Sequence, residues 1–294
     1  MTALLQSIID GVALGVLYAL VAMGIGLVFG VMRLINFAYG ELITTGAYAL
    51  LLTKDLAIGL RIVVCIVVVI AMALLMELVF RPLRAATPST MLVATFAVSF
   101  TLQNVAVLTF GTRGEAMRFW ASLNKAISIG ELNIRWVTIV SIVLGSALLV
   151  GVKLLLDRTD IGLQMRAAAI DFQTARLLGV RATRVIVIAF ALSGFLASVV
   201  ALMLAVQRPL ATPTFGFLVL IPALVGVVVG GLDRLVSATV GGFAIGFLTV
   251  LLSELLPSES RVFLNSALFA LVITILLVKP SGIFVRGQVA VERL

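Results

Sequence analysis

The sequence predicts an all-α fold: a polytopic integral membrane helical bundle of about nine transmembrane or re-entrant helices, with a possible inverted repeat, forming one transmembrane domain over 1–294. Three observations lead there. The chain is 62% hydrophobic and only 12% charged, whereas a soluble domain carries about 45–50% apolar and about 25% charged residues. So little charge cannot give 294 residues a polar skin. Apolar runs of roughly 20 residues recur along the chain, the length that a hydrocarbon core of about 30 Å requires. The alternating ten-residue strands of a membrane barrel are absent.

The runs fall at 6–29, 37–53, 59–80, 90–110, 134–155, 184–206, 215–231, 235–254 and 262–278. No Lys or Arg precedes Asp10, so the basic start of a secretory signal is missing and the first helix is expected to stay. The second and seventh runs are short and bounded by Asn36, Gly40, Pro213, Pro222, Gly230 and Gly231. Broken or re-entrant helices fit them, and such backbone persists only where it faces protein or a water-filled cavity. Residues 111–133 form a mixed polar loop with Trp120, and Trp136 follows it; both indoles suit an interfacial belt. Gly11/Gly15, Gly26/Gly30, Gly226/Gly230 and Gly242/Gly246 are Gly-x-x-x-Gly pairs that permit close helix packing. Phe37 to Gly40 opens the second run and Phe215-Gly216 the seventh, each after a long helix. With the halves oppositely oriented, this echo reads as an inverted repeat, whose interface is where transporters place their substrate path.

Basic residues set the orientation. With 157–184 inside, 13 of the 21 Lys and Arg lie on the inner side and 8 on the outer. The N-terminus is then outside, the loop at 111–133 outside, and the C-terminus in the cytoplasm. A net charge of +8 therefore marks membrane orientation, and no nucleic-acid partner is expected.

The same composition excludes much chemistry. The chain has no histidine, so it holds no imidazole base and no histidine metal site. Cys65, alone, lies in an apolar run and reads as inert packing. No phosphate-binding Gly-x-x-x-x-Gly-Lys loop occurs. Neither a catalytic residue nor a metal site is expected.

Polar groups inside apolar runs are costly and usually face protein or water. Asn36, Tyr39, Gly40, Glu41 and Thr44 gather at the start of the short second run and are the candidate substrate pathway. Glu41 suits a pathway carboxylate or a helix-end hydrogen-bonding group. Glu77 stands four residues before Arg81, which favours a structural ion pair. Gln103 and Asn104 suit interhelical hydrogen bonds or substrate contact.

Residues 160–179 predict a short amphipathic helix, with Asp160 as N-cap, Gly179 past its end, and Leu163, Ala167, Ile170, Leu177 and Leu178 at helical spacing. Periodicity alone allows two roles, an element lying on the membrane surface or a lever that docks into another protein.

The stretch 166–180 (RAAAIDFQTARLLGV) resembles the cytoplasmic coupling loop of ABC-transporter permeases, in the variant of the LivH family of branched-chain amino acid permeases. Residues 30–42 (GVMRLINFAYGEL), 77–84 (ELVFRPLR) and 222–231 (PALVGVVVGG) resemble the same family, so the likeness runs through nearly the whole chain in order. Two departures stand out. Tyr39 occupies a position where many members have histidine. Arg166 stands where the wider loop pattern has glutamate, and the later Leu-Pro is missing.

The resemblance implies the permease subunit of an importer for branched-chain or related small amino acids, multi-pass in the bacterial inner membrane. It implies that Gly162, Arg166, Ala167, Asp171, Ala175, Leu178 and Gly179 couple to an ATPase. It implies a sister permease, two ATP-binding subunits, an extracytoplasmic substrate-binding protein, and lipid around the bundle. ATP would act on the partners, with no cofactor on this chain. Permeases for urea or short amides are an alternative within the family. An ATP-independent secondary transporter or channel is the rival class, as is a non-catalytic membrane subunit of an enzyme complex.

Overall fold

The computed structural model describes residues 2–278 apart from 85, 130–131 and 232–233. Each of the nine apolar runs is a helix, with ends within a few residues of the sequence reading. In chain order these are α1 (Thr2–Met32), α2 (Tyr39–Leu52), α3 (Ile58–Phe80), α4 (Pro88–Phe110) and α5 (Trp136–Arg158). Two short helices follow, α6 (Asp160–Ile170) and α7 (Phe172–Leu177). Then come α8 (Ala182–Gln207), α9 (Phe217–Gly230), α10 (Leu235–Leu255) and α11 (Leu264–Val278). Six helices, α1, α3, α4, α5, α8 and α10, are long and apolar enough to cross a bilayer.

The core sits along α1 and α8. From Val16 to Val28 almost every α1 residue is buried, as is most of α8 from Leu196 to Val206. Helices surrounded by protein are apolar on all sides, which is why neither shows an amphipathic stripe. The outer faces of α3, α4 and α5 present Val67, Phe100 and Val143 outward, as lipid-facing helices do.

The packing is consistent with oppositely oriented halves. α1 and α8 run in opposite directions. α10 packs on α1 through Gly15 and Gly246, while α3 packs on α8 at Gly194, where a Cβ would press on Ala73. The expected Gly-x-x-x-Gly pairs at 11/15 and 242/246 meet across this α1–α10 contact, and Gly226 and Gly230 seat α9 against α10.

α2 and α9 have 14 residues each, so each reaches only ~21 Å at 1.5 Å per residue. They begin beside one another, with the Gly216 N–H donating to Thr44 Oγ1 at 3.0 Å. From that shared start they run to opposite ends of the bundle, so the two short runs are half-length helices within protein.

One end carries Arg33, Arg84, α6 and α7. Arg33 closes α1 in a left-handed conformation (φ 53°) and donates from Nη2 to the Ala169 carbonyl at 2.8 Å. The other end carries the described residues of 111–135, which include short paired strands rather than only loop. β1 (Glu115–Ala116) pairs antiparallel with β4 (Leu210–Ala211), and β2 (Ala126–Ile129) pairs with β3 (Leu132–Arg135). Arg61 anchors this cover: it donates to the carbonyls of Arg118 and Leu50, and its guanidinium lies 5.2 Å from the centre of the Phe119 ring. Lys279, Arg286 and Arg293, on the C-terminal segment that the charge argument places inside, lie outside the described residues.

Candidate substrate pathway and coupling surface

The chain enters α2 through a turn built by Asn36, whose Oδ1 accepts the Ala38 N–H at 3.0 Å. Asparagine side chains imitate a backbone turn in this way, and Asn36 is buried in that role. Tyr39 follows, fully buried with its ring against Gly24 of α1. A Cβ on Gly24 would overlap the Tyr39 hydroxyl. Gly40 lies against Gly216 and Leu220 at the start of α9. Thr44 donates to the Gly40 carbonyl at 3.2 Å while accepting from Gly216, and so ties the two half-helices together.

Glu41 is different. It is 2% exposed, yet it forms no ion pair among the described residues. Its Oε1 accepts from Ser99 Oγ at 3.0 Å and from Gln103 Nε2 at 2.8 Å, both on α4. Its Oε2 makes no hydrogen bond among the described residues and is not sealed off by them. Glu41 and Thr44 line a cavity of about 320 Å³ between α2, α3 and α4, whose other walls include Tyr48, Val68, Leu102 and Phe110. No basic side chain lines it.

The structure thus brings the five predicted pathway residues together at the start of α2, but only Glu41 and Thr44 face the cavity. Asn36, Tyr39 and Gly40 shape the junction. Ser99 was not anticipated. Its signal was its spacing from Gln103, four residues apart and so on one face of α4, a polar pair on an otherwise apolar helix. Asn104 points away from the cluster and bonds the Phe100 carbonyl of its own helix at 2.7 Å.

Glu77 pairs with Arg81 Nε at 3.6 Å and makes a closer ion pair with Arg84. Burial pulls the Arg84 guanidinium below its usual range, against the upward pull of the Glu77 carboxylate. This cluster fixes the end of α3.

The segment at 160–179 differs from the single helix expected. Thr159, not Asp160, is the N-cap, its Oγ1 accepting from the Gly162 N–H at 3.1 Å. The helix stops at Asp171, which leaves helical geometry (φ −145°, ψ 105°). Asp171 Oδ1 accepts the Thr174 N–H at 3.1 Å, so the residue caps α7. α7 then ends in a Schellman turn: Val180 N–H to the Ala175 carbonyl, Gly179 N–H to the Arg176 carbonyl, and Gly179 at φ 91°.

The buried face is also not the one read from periodicity. Gly162, Met165, Ala168 and Ala175 face the bundle. Gly162 allows α6 to fold back on α5, since a Cβ there would strike the Leu156 backbone. Leu163, Ile170, Leu177 and Leu178 point outward at 60–87% exposure. Arg166 is half-exposed and pairs with Asp157 at 3.3 Å, and Ala167 is part-buried between the two faces. Of the seven coupling residues implied by resemblance, Arg166, Asp171, Leu178 and Gly179 are exposed. Gly162 and Ala175 hold the element to the bundle.

Residues 7–279 match the model of a family described as "Branched-chain amino acid transport system / permease component". The chain is 32% identical to the high-affinity branched-chain amino acid transport system permease protein LivH of Escherichia coli strain K12, over 97% of this chain and 96% of that protein. It is 29% identical to the corresponding permease protein BraD of Pseudomonas aeruginosa, over 97% of each chain. A probable branched-chain amino acid transport permease LivH of Methanocaldococcus jannaschii is 28% identical, over 91% of this chain and 88% of that one. No solved structure matches the chain.

Proposed function

The chain belongs to the family of branched-chain amino acid transport permeases, and from that premise we propose that it carries branched-chain or related small amino acids inward, powered by ATP hydrolysis on partner subunits. It is a multi-pass protein of the inner membrane and the permease subunit of an ABC importer, a transporter and not an enzyme as such. The observation that carries the substrate class is Glu41. One carboxylate oxygen is held by Ser99 and Gln103, and the other is left for a ligand in a cavity with apolar walls. An ammonium group completes that carboxylate, and an aliphatic side chain suits Val68, Leu102 and Phe110. The cavity volume, about 320 Å³, falls within the range of small-molecule sites. Urea and short amides carry no cation, so Glu41 offers them a hydrogen bond but no charge pairing.

A second reading has its own support: Glu41 lies in the first turn of α2, where a carboxylate offsets the helix dipole. The secondary-transporter reading is weaker. It needs a chain of intramembrane ionisable groups, and Glu77 is occupied by Arg81 and Arg84. Of the two candidate carboxylates, Glu41 is then the one left unpaired among the described residues.

For coupling, the end with α6 and α7 faces the cytoplasm and the end with β1 to β3 faces outside. The exposed leucines of α6 and α7 dock on one of two ATP-binding subunits, and ATP is bound there. A sister permease completes the pathway, and an external binding protein delivers substrate to the cover formed by residues 111–135. Uptake by the reconstituted complex tests the substrate. Leucine uptake inhibited by isoleucine and valine, and unaffected by urea, is the expected result; inhibition by urea at similar concentration contradicts it.

A further inference from the structure

The largest of the cavities described, about 550 Å³, lies away from Glu41, between α1, α5, α6 and α10. Its inner walls are apolar, formed in part by Leu149 and Val150 of α5 and by Val236 and Val240 of α10. Its rim, at the end that carries α6, holds Lys153, Asp157, Arg166 and Arg234. Asp157 is paired with Arg166 at 3.3 Å. Lys153 and Arg234 form no ion pair among the described residues. Among the described residues the rim therefore carries two more positive than negative charges. Arg234 stands at the N-cap of α10, a helix with no acidic residue in its first turn, so the helix dipole adds to the positive field.

We propose that this cleft is a binding site for an anionic phospholipid. The phosphate sits between Lys153 and Arg234, and an acyl chain lies along Leu149, Val150, Val236 and Val240. The geometry separates this occupant from others. Val150 and Val236 are 56% and 55% exposed on two bilayer-length helices, so the apolar part opens toward lipid. The cations stand where those helices end, at headgroup level. A soluble anion would use the rim and leave the apolar walls unfilled. A zwitterionic lipid such as phosphatidylcholine would fill the walls but bring its own cation to the rim and leave the net positive charge uncompensated. Basic clefts between spanning helices recognise anionic headgroups for this reason. The site does not rest on the substrate assigned to the Glu41 cavity.

Native mass spectrometry of the purified complex, titrated with dioleoyl-phosphatidylglycerol or dioleoyl-phosphatidylcholine, tests the site. Two cations near a headgroup favour the anionic lipid by about thirtyfold. Lys153→Gln with Arg234→Gln should remove most of that preference and leave phosphatidylcholine binding unchanged. Both positions are exposed, so the fold should persist. Val236→Trp, which fills the cleft, should weaken phosphatidylglycerol binding with all charges retained. The proposal is overturned if the two lipids bind alike, if the double variant keeps the preference, or if glycerol phosphate alone competes as well as the whole lipid. It is also overturned if isolated subunits bind phosphatidylglycerol at this site while the assembled complex does not, since the cleft is then a subunit interface.

Discussion

Gln103 of α4 donates to the carboxylate of Glu41 in α2 at 2.8 Å. With Ser99 it makes α4 the second wall of the candidate pathway. α4 otherwise touches the bundle sparingly, and only Met91, Thr95 and Ser99 on it are fully buried. The polar cluster joins two ring stacks, Phe96 on Phe37 and Phe110 on Tyr48, in tying α4 to α2 and the turn before it.

The junction itself gives a stability prediction. A Cβ at Gly216 would collide with the Gly40 carbonyl. Gly216→Ala should therefore force α2 and α9 apart at a cost of about 1–3 kcal/mol, typical of overpacking. Thermal unfolding in detergent should show a clearly lowered midpoint. Gly59→Ala, where nothing lies within 4 Å of the added carbon, serves as the control and should leave the midpoint unchanged. Equal midpoints for the two variants would mean that the contact is not tight.

Coupling through α7 can be tested without disturbing packing. Leu178 is 81% exposed, so Leu178→Asp should leave the bundle intact. Fully burying a leucine is worth about 1.5 kcal/mol or more. ATPase subunits should then co-purify about tenfold less well, with substrate-stimulated ATP hydrolysis lost in step. Asp171→Asn makes the companion variant, since it retains the side-chain oxygen that caps α7 and removes the charge. Undiminished co-purification of Leu178→Asp would make α6 and α7 membrane-surface elements instead.

Orientation is open to direct labelling. Ser122 and Arg176 are exposed at opposite ends of the bundle. The native thiol can be removed as Cys65→Ala: Cys65 is fully buried, with its sulfur 3.7 Å from the Gly46 carbonyl, and alanine leaves no unsatisfied hydroxyl there. In that background Ser122→Cys should react with an impermeant maleimide from outside intact cells. Arg176→Cys should react only in inverted vesicles. Reaction of both from one side would refute the proposed orientation.

Much of this architecture is legible in the residues, because span length and apolarity are local properties. The nine runs became helices for that reason, and the half-length character of α2 and α9 is legible too, with Asn36 before the first and Gly231 capping the second, although Gly40 and Pro222 lie inside them. The break at Asp171 is less legible. Within an amphipathic pattern an aspartate reads as one more polar position, yet here it caps the next helix through Thr174. The outward face of α6 and α7 is hidden for another reason. Periodicity reports that leucines share a face, but not whether their partner lies in this chain or outside it. Small residues, Gly162 and Ala168, won the inner face because α6 folds back tightly on α5. The Glu41–Ser99–Gln103 cluster joins residues about 60 apart in sequence, and no local pattern links them.

Glu41→Gln provides the most direct test of the central claim, because it keeps the side-chain shape and the bonds' reach while removing the charge. Leucine uptake should be measured in proteoliposomes holding the assembled complex, beside thermal stability and co-purification of partners. The account predicts that assembly and unfolding midpoint stay near those of the unaltered protein while leucine uptake falls at least about tenfold, the equivalent of about 1.4 kcal/mol for one lost charge contact. Unaltered uptake with a lowered midpoint would contradict it and leave Glu41 as the residue that steadies the start of α2.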